Sequence, residues 1–170
     1  KKHFGRIGII HFDAHADLRQ DYLGQVLSHA CVMRRAWDLL GDGRIFQFGI
    51  RSGDRTEFGF ATEHTRMNRF GFESLVAALR EIGNRPVYFS VDLDVLDPSV
   101  FPGTGTPEAG GVDFEALLHA ALRICGCRVV AADLCELCPP YDPSGISTAL
   151  GCKILREILI GLGSRRTKNK

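Results

Sequence analysis

Short, continuous apolar runs recur along the chain and predict strands that are buried on both faces of a sheet. Four runs are clear, at residues 7–12, 45–50, 86–91 and 128–132. The first run stops at a cluster of charges, as a buried strand does when it reaches the edge of its sheet. The segment at residues 63–70 is ambiguous and is compatible with a fifth short strand.

Apolar residues between these runs recur at the spacing of amphipathic helices. The most regular stripe follows Asp113, a candidate N-cap, and consists of Phe114, Leu117, Leu118, Ala121, Leu122 and Cys125. Shorter stripes at residues 33–40 and 72–79 predict two further helices. A last helix is predicted from about Thr148 to Leu162.

The alternation of buried strands with amphipathic helices predicts βαβ units, and therefore a three-layer α/β/α fold with a mainly parallel sheet. We expect one domain over residues 1–162, followed by a solvated tail at residues 163–170. Ligands of open parallel sheets bind beyond the carboxyl ends of the strands. Any chemical site should therefore lie along that edge of the sheet.

Composition narrows the possible classes of function. The 170 residues are 45% apolar and 24% charged, and 21 Lys and Arg against 20 Asp and Glu give a net charge of +1. This balance argues against a nucleic-acid-binding protein, which would carry a basic surface. No apolar run approaches the length of a membrane span, and the first residues do not form a secretory signal. We therefore expect no membrane partner and a cytoplasmic location.

Six cysteines raise the possibility of disulfides or of a zinc site. Four of them are close together in the sequence, and four thiolates can close a tetrahedral zinc site; they are Cys125, Cys127, Cys135 and Cys138. However, Cys125 falls on the apolar stripe of a predicted helix and Cys135 follows a predicted buried strand. Reduced thiols are therefore the better interpretation.

Two acidic clusters directly follow predicted strands. They contain five candidate metal ligands, Asp13, His15, Asp17, Asp92 and Asp94. Residues two apart on an extended chain share a face, so each cluster can present its ligands together. Buried charges must be paired or bind metal, and oxygen ligands with a minority of imidazole favour Mn²⁺ or Mg²⁺ over Zn²⁺ or Cu²⁺. This number of ligands supports two ions, although Asp-rich strand ends also occur in phosphate-linked Mg²⁺ sites.

The motifs around these ligands resemble the signatures of the ureohydrolases, the family of arginases and agmatinases. They lie at residues 11–19, 28–30, 90–98 and 102–111. The resemblance runs nearly end to end and is closest to the agmatinase branch, on the segments at residues 22–24 and 48–53. The Asn-rich loop with which arginases hold the head group of arginine has no counterpart here. The resemblance implies an arginase-like fold, two Mn²⁺ ions and a small guanidino substrate.

The same resemblance implies a role for each ligand. Asp13 and Asp92 bridge both manganese ions, Asp17 completes one ion, and His15 and Asp94 complete the other. A hydroxide that bridges the ions attacks the guanidinium carbon of agmatine, which yields putrescine and urea. Asp17 is also a candidate proton donor to the leaving nitrogen.

Two further residues match family positions in substrate binding and catalysis. Glu136 matches the carboxylate that pairs with the substrate guanidinium, a planar cation that favours a carboxylate partner. His29 matches a histidine that shuttles protons and lies beside the substrate. On the sequence alone, a solvated histidine at the start of a helix is the simpler interpretation of His29.

Other residues near the motifs receive weaker interpretations. His11 lies within a strand and is more consistent with the core, or with support of the ligands, than with metal binding. Thr106 and Glu108 lie in a glycine-rich loop, where they either support the ligands or serve the turn. Arg51 and Arg55 follow a strand and either line the rim of the site or are simply solvated.

The start of the chain departs from the family pattern. Family members carry an N-terminal segment with a Gly-Gly-Asp-His type motif whose histidine is the sixth metal ligand, and nothing here supplies it. The chain is therefore expected to correspond to the C-terminal half to two-thirds of a member and to be N-terminally incomplete. Three functions stay open: an agmatinase-like enzyme that is a homo-oligomer when complete, a hydrolase of another guanidino or formimino compound, and a truncated, inactive metal-binding domain.

Overall fold

The computed structural model describes residues 2–168, with side chains described as far as Ser164. The strands are β1 (Gly8–Phe12), β2 (Ile45–Ile50), β3 (Arg66–Arg69), β4 (Val87–Asp92) and β5 (Val129–Cys135). The helices are α1 (Val32–Leu40), α2 (Arg55–His64), α3 (Leu75–Ile82), α4 (Phe114–Cys125) and α5 (Ile146–Lys168).

All five strands are parallel and lie in the order β3-β2-β1-β4-β5. β1 is central, and its Phe12 is level with Phe48 of β2 and Val91 of β4. β1 and β2 are buried along their whole lengths, as their continuous apolar runs predict. Because β1 and β4 are parallel neighbours, the residues that follow them emerge side by side at the carboxyl edge of the sheet.

Helices cover the sheet from both sides, which confirms the predicted three-layer α/β/α fold. α3, α4 and α5 pack over the larger core, where Phe12, Phe46 and Phe89 are buried. The rings of Phe12 and Phe89 meet edge to face with their centroids 5.1 Å apart. α1 and α2 cover the other face through a smaller core that contains Ile9 and Ile45.

The helix α2 was not predicted from the apolar pattern. Its apolar residues form only a weak stripe, but a capping box starts it. Asp54 Oδ1 accepts a hydrogen bond from the Glu57 N–H at 2.9 Å, and Glu57 Oε2 accepts one from the Asp54 N–H at 2.9 Å. The ambiguous segment that follows contains β3, so the fifth strand is confirmed.

Of the two C-terminal helices, α4 begins as predicted, whereas α5 extends further than predicted. In α4 the predicted cap is confirmed, since Asp113 Oδ1 accepts a hydrogen bond from the Ala116 N–H at 2.7 Å. The helix α5 does not end at Leu162 but continues to Lys168. The expected tail at residues 163–170 is therefore helical through residue 168. Its solvation stays a prediction, because the side chains after Ser164 and residues 169–170 lie outside the described residues.

The N-terminus of α5 anchors the glycine-rich loop. Asp142 Oδ2 accepts a hydrogen bond from the Ser147 N–H at 2.7 Å, and Ser147 Oγ accepts one from the Gly103 N–H at 2.8 Å. A methyl group on Gly103 would lie 2.6 Å from Ser147 Cβ, so the contact requires glycine. The anchor fixes the loop that carries Gly105 and Thr106 to the carboxyl edge of the sheet.

None of the helices in the described part of the chain combines the length and the apolar character needed to cross a membrane.

Candidate metal centre and active site

A cavity of about 500 Å³ opens at the carboxyl ends of β1 and β4. Every residue to which the sequence assigns a metal-binding or catalytic role contributes to its lining: Asp13, His15, Asp17, His29, Asp92, Asp94 and Glu136. The parallel pairing of β1 with β4 explains why the two acidic clusters meet, since Phe12 and Val91 are level and the next residue of each strand is an aspartate.

The segment after β1 bends at Ala14 and enters the left-handed region at Asp17 (φ +54°), and its candidate ligands line the cavity. It runs beside the end of β2, where Ala14 O accepts hydrogen bonds from the N–H groups of Arg51 (2.8 Å) and Ser52 (2.9 Å). The alternate residues Ala14 and Ala16 are fully buried, with relative exposures of 0% and 1%. These small side chains let the segment pack closely against the protein, and its candidate ligands line the cavity together with Ala16.

The segment after β4 brings its ligands together in a different way. β4 ends at Asp92, and residues Leu93–Val95 form a 3-10 turn rather than an extended chain. Asp92 Oδ1 accepts a hydrogen bond from the Asp94 N–H at 2.9 Å, and Asp94 Oδ1 accepts one from the Ala14 N–H at 3.0 Å. The expectation of an extended Asp92–Asp94 pair is therefore wrong, although both side chains reach the cavity.

Asp13 lies at the centre of two groups that could hold a metal ion. One group is Asp13, His15 and Asp94, and the other is His11, Asp13 and Asp17, with ligand atoms within 4.8 Å of one another in each. His15 Nδ1 lies 2.9 Å from Asp94 Oδ2 and 3.4 Å from Asp13 Oδ1. Asp92 also lines the cavity, but neither of these two groups of described residues includes it.

His11 is buried beneath the cluster, as the sequence predicts. Its Nε2 lies 2.9 Å from Asp13 Oδ2, and its Nδ1 lies 3.4 Å from Gln47 Nε2. Burial by itself would lower the pKa of His11, but the charge of Asp13 and its hydrogen bond raise it. The ring of His11 therefore supports the carboxylate of Asp13 from beneath and orients it.

The other carboxylates of the cluster have too few positive charges near them to balance their negative charge. Burial, followed by the charge of Asp13, raises the pKa of Asp17 to about 8 and that of Asp92 to about 10. Burial opposes protonation of His15, but hydrogen bonds to Asp13 and Asp94 raise its pKa to about 11. These shifts reflect the excess of carboxylates over cations in the cluster, a negative charge that divalent cations would neutralise.

Glu136 and His29 reach the cavity from two separate loops. Glu136 follows β5 with a left-handed φ of +61°, and its side chain is exposed. The loop of Gly105 lies beside it, since a methyl group on Gly105 would be 3.5 Å from Glu136 Oε2. His29 is also exposed, and its ring packs edge to face on Tyr22 with centroids 5.6 Å apart.

One wall of the cavity was not predicted from the sequence. Arg19, Tyr22, Asp54 and Glu57 line it together with Ser52 and Gly53. Glu57 is buried, and its Oε1 accepts a hydrogen bond from the Leu18 N–H at 3.0 Å. The Asp-x-x-Glu spacing of residues 54–57 was the available signal, because it is typical of a helix start.

Three residues near the motifs lie elsewhere than at the cavity. Arg51 turns inward to backbone carbonyls, so its assignment to the rim or to solvent is wrong. Arg55 is exposed and is not among the cavity-lining residues. Asp97 organises its own loop, since its carboxylate accepts hydrogen bonds from the N–H groups of Ser99, Gly110 and Gly111.

None of the cysteines in the described residues forms a disulfide bond. The groups of described side chains that could hold a metal ion contain no cysteine. Cys125 is buried, whereas Cys135 is exposed as a residue and its Sγ lies 3.8 Å from Asp92 Oδ2. Desolvation of this sulfur, followed by the negative charge of Asp92, raises the pKa of the Cys135 thiol.

Comparison with known proteins gives consistent matches. The model of the arginase family matches residues 1–161. An agmatinase from Bacillus cereus is 44% identical over 165 residues, which cover 94% of this chain and 57% of that protein. A mitochondrial guanidino acid hydrolase from Homo sapiens is 38% identical, and the match covers 95% of this chain and 49% of that protein.

A solved structure matches in the same way. The agmatine ureohydrolase of Thermoplasma volcanium superposes with a TM-score of 0.86 at 32% identity, over 97% of this chain and 58% of that one. The chain thus spans about half the length of the curated relatives that it matches.

Proposed function

The chain belongs to the arginase family, and on that basis we propose that it hydrolyses agmatine to putrescine and urea with two Mn²⁺ ions. One observation carries the proposal. Five candidate metal ligands, one candidate guanidinium-binding carboxylate and one candidate proton-transfer histidine all line a single cavity of about 500 Å³.

The donor set fits a pair of hard divalent cations. Asp13 and Asp92 would bridge the ions, Asp17 would complete one, and His15 with Asp94 would complete the other. Asp94 Oδ2 is buried, and it lies 2.9 Å from Nδ1 of His15, which is itself a candidate ligand, so the two atoms could bind the same cation. When bound, the ions lower the pKa of water towards neutrality and stabilise negative charge in the transition state. Four carboxylates and one imidazole suit Mn²⁺ or Mg²⁺ rather than Zn²⁺ or Cu²⁺, and the family resemblance selects Mn²⁺.

Glu136 would hold the substrate by its guanidinium group. Its carboxylate stands at the mouth of the cavity, where a planar cation can form two parallel charge-assisted hydrogen bonds. The pair orients the guanidinium carbon towards the acidic cluster. Water then adds to the guanidinium carbon, and the bond between this carbon and the alkyl nitrogen breaks.

Two residues would move protons in this reaction. Asp17 lies within the cavity and supplies the proton that the leaving amine needs. His29 lies at the exposed end of the cavity, where its ring can exchange protons with solvent. Tyr22 packs against this ring and limits its rotation.

The charge of the cavity wall favours agmatine over guanidino acids. Arg19 is the one arginine or lysine that lines the cavity in the described part of the chain. Its Nε lies 3.3 Å from Glu57 Oε2 and 3.9 Å from Asp54 Oδ2, so its charge is balanced by two carboxylates. A distal ammonium, as in agmatine, meets a more favourable potential there than a distal carboxylate.

Guanidino acids are the second candidate substrates, because Arg19 could bind their carboxylate if it left Glu57. The human relative named above is a guanidino acid hydrolase.

The proposal is tested by measuring urea release. The 170-residue chain is freed of metal with a chelator, reloaded with Mn²⁺, and supplied with agmatine or with 4-guanidinobutyrate. We expect urea release that depends on Mn²⁺ and favours agmatine by about tenfold or more, the effect of one charge contact. A preference for 4-guanidinobutyrate would overturn the choice of substrate. Bound Mn²⁺ without urea release from either compound would leave an inactive metal-binding domain.

A further inference from the structure

Arg51 is almost saturated with hydrogen bonds to the backbone. Its guanidinium donates six hydrogen bonds to five carbonyl oxygens, those of Gly49, Asp94, Val95, Leu96 and Glu108. The two shortest of these hydrogen bonds join Nη2 to Asp94 O (2.7 Å) and to Glu108 O (2.8 Å). An arginine has five N–H donors in a fixed plane, so these contacts use its whole fork.

Four of these five carbonyls belong to the two segments on either side of the candidate ligand His15, and the fifth, that of Gly49, belongs to β2. The first is the 3-10 turn after β4, which carries Asp94. The second is the glycine-rich loop, which carries Glu108. Arg51 lies at the end of β2 and joins both segments to the strand beside β1. A lysine has three donors and no fork, and it could not reach both segments in the same way.

The next residue, Ser52, completes the connection through a side chain. Ser52 Oγ donates a hydrogen bond to Glu108 Oε1 at 2.9 Å. The same oxygen lies 3.9 Å from His15 Nε2, a gap that a small side-chain rotation closes. His15 Nδ1 faces the opposite way, 2.9 Å from Asp94 Oδ2.

We propose that Arg51, Ser52 and Glu108 form a positioning cluster that fixes His15 and Asp94, and with them one of the two metal positions. The inference rests on the proposed function. Glu108 holds the Nε2 side of the His15 ring and so directs Nδ1 to the metal. Arg51 holds the backbone of Asp94 and the loop of Glu108 at the required separation. A partner on the second nitrogen of a metal-binding histidine typically changes metal affinity by about 10- to 100-fold.

The test counts bound Mn²⁺ rather than activity. The full 170-residue chain is titrated with Mn²⁺ alone, and free ions are measured by electron paramagnetic resonance. The variants are Arg51→Lys, Ser52→Ala and Glu108→Gln, and Arg55→Gln is the matched control because Arg55 is exposed and outside the cavity. Arg51→Lys keeps the charge, the other two variants alter partly exposed side chains, and the unfolding temperature of each variant is measured alongside.

We expect one ion to bind about 10- to 100-fold more weakly in Arg51→Lys and Glu108→Gln. The other ion should keep its affinity, and Arg55→Gln should match the unaltered chain. Equal affinity of both ions in all variants would overturn the inference and leave the proposed function intact. A parallel loss at both ions, with a lower unfolding temperature, would also overturn it, since that is the result of general destabilisation. An unaltered chain that binds no Mn²⁺ would overturn the proposed function and this inference with it.

Discussion

His15 Nδ1 lies 2.9 Å from Asp94 Oδ2, although the two residues are 79 positions apart in the sequence and follow different strands. The parallel pairing of β1 with β4 creates this contact. The positions of the candidate ligands in the two clusters relative to each other therefore depend on the pairing of the strands. We expect removal of different ligands to change the content of bound metal by different amounts.

Asp92→Ala should reduce binding of both Mn²⁺ ions, whereas His15→Ala should weaken chiefly one. The reason is geometric, because a bridging carboxylate serves two ions and a terminal imidazole serves one. Elemental analysis of the purified variants gives the stoichiometry, with Asp38→Asn on the exposed face of α1 as a control. Equal metal content in the Asp92 and His15 variants would contradict the bridging role.

Glu136→Gln should leave the Mn²⁺ content unchanged and lower agmatine hydrolysis by roughly 10- to 200-fold. The estimate follows from about 1.5 to 3 kcal/mol for a hydrogen bond to a charged group. Urea release and metal content are measured on the same samples, with Glu115→Gln on α4, also exposed, as the control. Full activity in Glu136→Gln would remove Glu136 from the substrate site.

Gly49→Ala should strongly destabilise the chain, by about 3 to 5 kcal/mol. Gly49 has a φ of +85°, and a methyl group there would lie 2.4 Å from Val95 Cγ2 and 3.1 Å from Asp13 O. Gly43→Ala separates the two causes, because Gly43 also has a positive φ (+65°) but has nothing within 4 Å of the added methyl group. Its cost should be only about 1 kcal/mol. Urea unfolding measures both, and similar costs would show that the close approach is not the cause.

Asp142 should make the stability depend on pH in the acidic range. Hydrogen bonds from Ser144 and then Ser147 lower the pKa of Asp142 to about 2. The unfolded chain has a pKa near 3.9, so the carboxylate stabilises the fold fully above that value and loses its contribution as the pH falls towards 2.

Asp142→Asn should therefore be less stable than the unaltered chain at pH 6, and the difference should shrink between about pH 4 and pH 2. Unfolding free energies at several pH values give the comparison, with Asp38→Asn to account for the general loss of a carboxylate. A difference that stays constant down to pH 2 would assign the effect to packing.

The sequence predicted those features that depend on one element and its neighbours along the chain. The stripe of α4 and its Asp113 cap are local, and both are present. The candidate ligands could be predicted to lie together because strand ends in a parallel sheet converge, which is a general property of the fold, and their binding of metal stays a prediction. The helix α2 was missed because its signal lies in the capping residues and not in the apolar spacing.

Arg51 illustrates what the sequence could not predict. Four of the five carbonyl groups to which it donates belong to residues 43 to 57 positions away. A backbone carbonyl has no residue type, so no motif marks it as the partner of an arginine. Only the folded path of the loop after β4 reveals that this guanidinium is held inside the protein.

The alternation of ligands with buried alanines after β1 restricts how this segment can change. Each substitution at residues 13–17 alters one side chain on one face. Deletion or insertion of a single residue would instead turn every later side chain to the opposite face. Carboxylates would then enter the space of Ala14 and Ala16, and alanines would face the cavity. The segment is therefore restricted in its length as well as in the residues at its ligand and alanine positions.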